Sequence, residues 1–327
     1  MTARNVLQAV HDAIDEEMAR DEKVIVLGQD VGLRGGVFRV TEGLIDRYGG
    51  TRVIDAPLAE SAIVGVAIGA SLAGYRPIAE IQFADFIWPA MDQIVSEAAR
   101  MRYRSHGEWG CPLVIRTPYG AGIHGGLYHS QSIEATFARV PGLKVVAPST
   151  PSDAKGLLKS AIRDPDPVLF LEHKRTYRLI KEDVPDDDYV IPLGQAAIRR
   201  AGRDLTILTY GMMVHESLKA AEAVVGEGIE VEVVDLRTIS PLDKGTILES
   251  VRRTHKVLIV HEDSLTGGFG GELAAIVGSE AFDSLDGPIL RVAAPDAPAT
   301  PFNTSLEELY LPNADKIAKA IRELAAY

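Results

Sequence analysis

Arg52-Val-Ile-Asp55-Ala56-Pro57-Leu58-Ala59-Glu60-Ser-Ala-Ile-Val-Gly65-Val-Ala-Ile-Gly69-Ala-Ser-Leu72-Ala-Gly74 turns an apolar strand into a helix built almost wholly of small and apolar residues, with one carboxylate, Glu60, at the junction. A strand, a tight turn and an apolar helix in that order form the unit of a parallel α/β sheet. The helix composition lets another backbone approach closely, so the segment reads as buried on most sides. A carboxylate there is costly to ionise. Desolvation is expected to favour the neutral carboxyl there, whereas the positive end of the following helix favours the charged form. Glu60 is therefore either a tunable acid or a plain acidic helix start.

Outward from this unit the same alternation repeats. Buried-type strands are predicted at Val24–Gly28, Arg52–Ile54, Pro77–Ile81, Leu113–Arg116, Lys144–Ala147 and Val168–Glu172. Helices are predicted at Gln8–Arg20, Thr41–Tyr48, Ser61–Leu72, Ala90–Tyr103, Ser132–Phe137 and Ser152–Ile162. Lys181 to Pro192 is acidic and carries two prolines, which excludes a helix or a central strand and marks a linker. Beyond it come strands at Leu205–Tyr210, Glu230–Asp235, Val257–His261 and Ile289–Val292. Helices there are predicted near His215–Val225, Asp243–Thr254, Gly270–Ser279 and Ala314–Leu324. The expected architecture is two doubly wound α/β domains, 1–180 and 199–327, joined by a linker at 181–198.

With 327 residues, two cores are the expectation. The 46 acidic against 34 basic side chains give a net charge of −12, which argues against nucleic acid or an anionic membrane as partner. Cys111 is the only cysteine, so neither an intrachain disulfide nor a Cys-x-x-Cys pair can form, and a reducing compartment is expected. Asn5–Asp21 is an acidic amphipathic pattern without the apolar core of a signal peptide, and no apolar run is long enough to span a bilayer. A cytoplasmic protein is expected.

Further polar signals sit after predicted strands, where open α/β sheets bind their ligands. Gly28-Gln-Asp-Val-Gly32-Leu-Arg-Gly35-Gly36 follows one, but its spacing is not that of a dinucleotide loop. Glu80-Ile-Gln82-Phe83-Ala-Asp85-Phe86-Ile-Trp88 gathers aromatics that either stack on a flat ring or belong to the core. Tyr119-Gly-Ala-Gly-Ile-His124-Gly-Gly-Leu-Tyr-His129-Ser-Gln-Ser132 is a glycine-rich loop suited to backbone approach by a ligand. Its two histidines lack zinc spacing, and His129 suits proton transfer or substrate binding better. On this reading Glu60, Gln82–Phe86 and His129 line one crevice. Gly267-Gly268-Phe269-Gly270-Gly271 is read as a tight subunit contact rather than an anion site.

These residues resemble a known family, the beta subunits of the thiamine-diphosphate-dependent 2-oxo acid dehydrogenases of the branched-chain and bacterial pyruvate group. The resemblance rests on Asp55-Ala-Pro-Leu-Ala-Glu60, Ala79-Glu-Ile-Gln82-Phe-Ala-Asp-Phe86, Met101-Arg-Tyr-Arg-Ser105, Leu127-Tyr-His129-Ser-Gln-Ser132, Asp153-Ala-Lys-Gly-Leu-Leu158, Val234-Asp-Leu-Arg-Thr238 and Leu265-Thr-Gly-Gly-Phe269. It covers nearly the whole chain. The fold it implies is a pyrimidine-binding domain followed by a transketolase C-terminal-like domain.

The resemblance also implies roles. Glu60 hydrogen-bonds the cofactor's aminopyrimidine and promotes loss of the thiazolium proton. Phe86 packs on the pyrimidine, and Leu58 and Gln82 contact the cofactor. His129 acts when the acyl group passes to a lipoyl arm. Leu113, Ala161, Asp164 and Asp166 match a structural site for a monovalent cation such as K+, although relatives often carry Asn where this chain has Asp166. The family's magnesium and diphosphate motif, Gly-Asp-Gly followed further on by Asn, occurs nowhere in this chain. An alpha subunit is thus expected to hold Mg2+ and diphosphate in an alpha2beta2 heterotetramer, with a lipoyl-bearing acyltransferase core as further partner. Branched-chain 2-oxo acids are the expected substrates, pyruvate the alternative. Other classes are a nicotinamide-dependent dehydrogenase, which lacks its glycine fingerprint here, and a noncatalytic scaffold.

Overall fold

The apolar runs of the first half lie side by side in one parallel sheet in the computed structural model, which describes residues 1–327. Two units emerge, Met1–Tyr119 with Thr136–Leu193, and Gly120–Ala135 with Gly194–Tyr327.

The first unit opens with β1 (Thr2–Asn5), and Asn5 caps α1 (Val6–Arg20) through a reciprocal pair of bonds with Gln8. Strands β2 (Val24–Gly28), β3 (Val53–Asp55), β4 (Arg76–Glu80), β5 (Val114–Tyr119), β6 (Lys144–Val146) and β7 (Val168–His173) run in the order β6-β7-β5-β4-β2-β3, all parallel. Between them come α2 (Leu44–Tyr48), α3 (Glu60–Leu72), α4 (Met101–Arg104), α5 (Glu134–Ala138) and α6 (Pro151–Arg163), and α7 (Thr176–Leu179) follows β7. α6 starts at Pro151 behind a Thr150 cap and packs on α1, with Lys159 Nζ 2.7 Å from Glu16 and Arg163 gripping the buried Glu17 at 2.6 Å. Val10, Ile14, Val26, Ile78, Leu157 and Phe170 belong to the core that the sheet and these helices enclose.

Three departures from the sequence-based expectation have physical causes. The acidic stretch read as a linker begins with β8 (Lys181–Val184), which pairs only with β1, and a two-stranded ribbon tolerates charges and ends cleanly at Pro185. The helix expected over 90–103 is interrupted by a π-helical turn at Gln93–Ala98, where α3 approaches closely. A Cβ on Gly65 would lie 3.2 Å from the Gln93 side-chain oxygen. α3 is not buried on most sides. Ile63, Val64, Ala67, Ile68 and Ser71 face the core, whereas Ala62, Val66, Gly69 and Leu72 are exposed, so this chain alone leaves an apolar helix face uncovered.

The second unit is built on β9 (Ala197–Arg200), β10 (Leu205–Thr209), β11 (Val231–Asp235), β13 (Val257–Ser264) and β14 (Leu290–Ala294), in the order β14-β13-β10-β11-β9; β12 (Thr238–Ser240) follows β11 in the chain. Only β9 is antiparallel, and its partly exposed Arg-bearing sequence is that of an edge strand. Helices α8 (Met212–Ala223), α9 (Lys244–Thr254), α10 (Gly270–Glu280), α11 (Thr304–Tyr310) and α12 (Ala314–Ala325) complete the unit. Leu205, Ile207, Val233, Leu258 and Ile321 form its core. No helix of either unit is long and apolar enough to cross a membrane.

Candidate cofactor site

The register of β3, β2 and β4 places Asp55, Gly28 and Glu80 in one row at the carboxyl edge of the first sheet. Gly28 is required there, since a Cβ would come within 2.7 Å of the Glu80 carbonyl oxygen. Beyond the row three turns gather, and side chains tie them together. The Asp55 carboxylate accepts the Gly32 and Leu33 amides at 2.6 and 3.3 Å, fixing the loop after β2. The Gln82 amide donates to the Gln29 carbonyl and to Asp30 at 3.3 and 3.4 Å.

Glu60 is the first residue of α3 and half-buried, and its carboxylate has no hydrogen-bond or ion-pair partner in the chain. Ala59, at the cap position, has no side-chain oxygen to satisfy the first amides of the helix. The apolar enclosure expected around Glu60 is therefore only half supplied by this chain, since Ser61 and Ala62 stand exposed beside it. Leu58 is 72% exposed at the lip of the turn. Phe86 is half-buried and meets Phe83 edge-on at 5.6 Å, and Phe83 in turn packs on Phe38 at 5.5 Å. The Lys174 ammonium lies 5.7 Å from the centre of the Phe83 ring.

Under this edge lies a buried charge network. Arg116 on β5 grips Glu172 on β7 through two bonds of 2.8 and 2.5 Å and also donates to Glu80 on β4. The Tyr177 hydroxyl donates to Glu172 at 2.5 Å. Burial pushes the Glu80 carboxyl up against the pull of Arg116. Burial also opposes the Arg116 charge, but Glu172 and Glu80 outweigh it and keep the guanidinium protonated.

Leu58, Glu60, Gln82 and Phe86 thus share the edge of one sheet. His129 belongs to the other unit, half-buried after a 3-10 turn at Gly126–Tyr128, with Gly125 packed against its Cβ. Sequence reasoning gave Asp30 and Asp55 no role, although both tie the loop after β2 to this edge.

The oxygens of the expected cation site already have protein donors. The Leu113 carbonyl accepts the Val168 amide, and the Ala161 carbonyl accepts the Asp164 amide. Lys144 Nζ sits 2.7 and 2.6 Å from the two Asp164 oxygens, and Arg102 pairs with Asp166 at 2.6 Å. Arg76 donates to the Ile162 and Asp164 carbonyls at 2.9 and 3.2 Å. In this chain Lys144 and Arg102 thus pair with the Asp164 and Asp166 carboxylates, while the Leu113 and Ala161 carbonyls each accept one backbone amide. In the second unit the glycines at 268 and 270 make room for the buried His261 ring, where a Cβ would come within 2.6 and 2.5 Å. Burial, helped by Arg291, lowers the pKa of His261 to about 4.

Residues 3–180 match the transketolase pyrimidine-binding domain, and residues 194–317 match the transketolase C-terminal domain. Over all 327 residues, and over the full length of both proteins, the chain is 56% identical to the 2-oxoisovalerate dehydrogenase subunit beta of Bacillus subtilis (strain 168). The pyruvate dehydrogenase E1 component subunit beta of the same organism is 49% identical, also at full coverage. The chain belongs to the beta-subunit family of the thiamine-diphosphate-dependent 2-oxo acid dehydrogenases. A split gene transketolase, solved as an inactive beta4 tetramer, shares the fold with a TM-score of 0.80 at 24% identity, covering 99% of this chain and 98% of that one.

The pyrimidine-binding domain of this family member fits its cofactor. A carboxylate without a protein partner and a half-buried ring at one sheet edge can offer an aminopyrimidine a hydrogen-bonding acid and an apolar surface.

Proposed function

We propose that the chain is the beta subunit of a branched-chain 2-oxo acid dehydrogenase, which decarboxylates the acid on thiamine diphosphate and passes the acyl group to the lipoyl arm of an acyltransferase partner. The observation that carries this reading is the partnerless carboxylate of Glu60 on a sheet edge shared with Gln82 and Phe86. When bound, thiamine diphosphate supplies the electron sink for the carbanion left by departing carbon dioxide. Glu60 holds a proton at an aminopyrimidine ring nitrogen, Phe86 packs on the ring, and Leu58 and Gln82 border it. His129 handles a proton at the lipoyl sulfur. The greater identity to the 2-oxoisovalerate relative favours branched acids over pyruvate.

Mg2+ and the diphosphate fall to an alpha subunit in an alpha2beta2 heterotetramer, because this chain lacks the motif that holds them. The uncovered apolar face of α3, with Ala62, Val66, Gly69 and Leu72, supports such a partner. The test is 2-oxo-acid-dependent reduction of an artificial electron acceptor by the chain co-purified with its alpha subunit, with thiamine diphosphate and Mg2+. We expect kcat/KM for 3-methyl-2-oxobutanoate to exceed that for pyruvate by about tenfold or more, the discrimination an apolar pocket provides for added methylenes. The chain alone should turn over neither acid. A preference for pyruvate would move the protein to the pyruvate complex, and activity of the rigorously pure chain would refute the need for an alpha subunit.

A further inference from the structure

The loop that carries His129 has little to hold it by its own composition. Gly120, Gly122, Gly125 and Gly126 lie within seven positions, and Gly120, Gly122, Gly126 and His124 all have positive φ. Such a segment loses much backbone entropy when it orders. Some bonds lie within the loop itself. The Gly120 amide donates to the Gln131 carbonyl at 3.1 Å, and the Gln131 side chain donates to the Gly126 and Leu127 carbonyls at 3.2 and 3.3 Å.

What orders it comes from further along the same unit. Glu262 on β13 accepts the Ala121 amide at 2.6 Å and the Ser132 hydroxyl at 3.4 Å, so one carboxylate oxygen ties both ends of the loop. Glu307 on α11 accepts the next amide, Gly122, at 2.8 Å with one oxygen, while its other oxygen lies 2.5 Å from His124 Nδ1. Both carboxylates are almost fully buried, at 5% and 2% exposure. The Thr300 hydroxyl donates to the Ser130 carbonyl at 3.3 Å. The Phe302 ring lies against Gly126, where a Cβ would fall 2.5 Å from it, and Gly125 lies against His129 in the same way at 2.6 Å. Two consecutive amides given to two buried carboxylates are short, charge-assisted bonds, stronger than neutral ones.

We propose that Glu262 and Glu307 are positioning residues that clamp residues 120–132 and thereby set His129 for acyl transfer to the lipoyl arm. The functional half rests on the role proposed above for His129, whereas the clamp rests on the hydrogen bonds alone. The experiment uses the assembled enzyme with its alpha subunit, comparing wild type with Glu262→Gln and Glu307→Gln. His124→Asn serves as a second probe. It removes the imidazole contact to Glu307 at a half-exposed position and keeps a residue tolerant of positive φ.

Two quantities are read: hydrogen exchange over peptide 120–132, and the rate of acylation of a free lipoyl domain relative to dye-linked decarboxylation. We expect exchange in that peptide to rise and the relative acylation rate to fall about tenfold in the Gln variants, the cost of weakening one charge-assisted bond. A smaller fall is expected in His124→Asn. A purely structural role would lower both rates together and leave their ratio unmoved. Exchange that stays at the wild-type level in both Gln variants overturns the clamp. Faster exchange with an unchanged ratio, accompanied by a normal ratio in His129→Ala, overturns the role given to His129 and leaves the clamp standing.

Discussion

Glu60→Gln, assembled with the alpha subunit, is expected to lose about a thousandfold in dye-linked decarboxylation, within the range set by removal of a group that carries a proton in the reaction. The side chain keeps its length and polarity, so shape is not what changes. A carboxyl group can both give and take a proton at an aminopyrimidine nitrogen, whereas an amide can hydrogen-bond there but cannot exchange the proton. Because the Glu60 carboxylate has no partner within the chain, the substitution breaks no internal bond. It removes one negative charge from the start of α3, worth about 0.3–1 kcal/mol at a helix end. The melting temperature and the copurification of the alpha subunit should therefore stay near wild type while turnover collapses. Activity within about threefold of wild type in an intact assembly would show that Glu60 does no chemistry, leaving the chain as a scaffold for the acyltransferase core.

The place of Glu60 at the start of α3 was legible in the sequence for a physical reason. A lone carboxylate between a strand and a helix of Ala, Gly, Val and Ile has no neighbour of opposite charge to explain it, and in the structure it has none. The buried strands were equally legible, because continuous apolar runs such as Val24–Gly28 and Val168–Glu172 leave no doubt about their surroundings. Three charge-bearing strands, β1, β8 and β9, were not. They carry charges such as Arg4, Lys181 and Arg200, since one side of each meets solvent, and their sequences look like loops. The exposed face of α3 was hidden by the same logic: a helix apolar all round reads as enclosed, and only coordinates reveal which face the chain itself covers. Glu262 and Glu307 were invisible as loop anchors because nothing in local sequence ties them to Ala121 and Gly122, more than a hundred positions away.

Arg116→Met should have the largest effect on stability, about 3–5 kcal/mol, because it leaves Glu80 and Glu172 buried without their shared cation. Methionine fills much of the arginine volume, so the loss reports charge rather than a cavity. Glu80→Gln should go the other way or change little. Burial already pushes the Glu80 carboxyl up, two carboxylates compete for one guanidinium, and Arg116 keeps its two bonds to Glu172 when the Glu80 charge is removed. Urea or thermal unfolding of the two variants side by side reads the difference in sign; equal destabilisation by both would mean that packing, not charge, sets the cost. The consequence reaches the cofactor edge. Gly36 lies against the Glu80 carboxylate, where a Cβ would sit 3.1 Å away, and Gln82 is two residues further along the same strand end. If the charge triad is the floor of the site, Arg116→Met should weaken thiamine diphosphate binding in the assembled enzyme at temperatures well below its unfolding transition. Glu80→Gln, which keeps the Arg116–Glu172 pair, should bind it nearly as the wild type does, and a binding defect confined to the melting range would place the triad's role in folding alone.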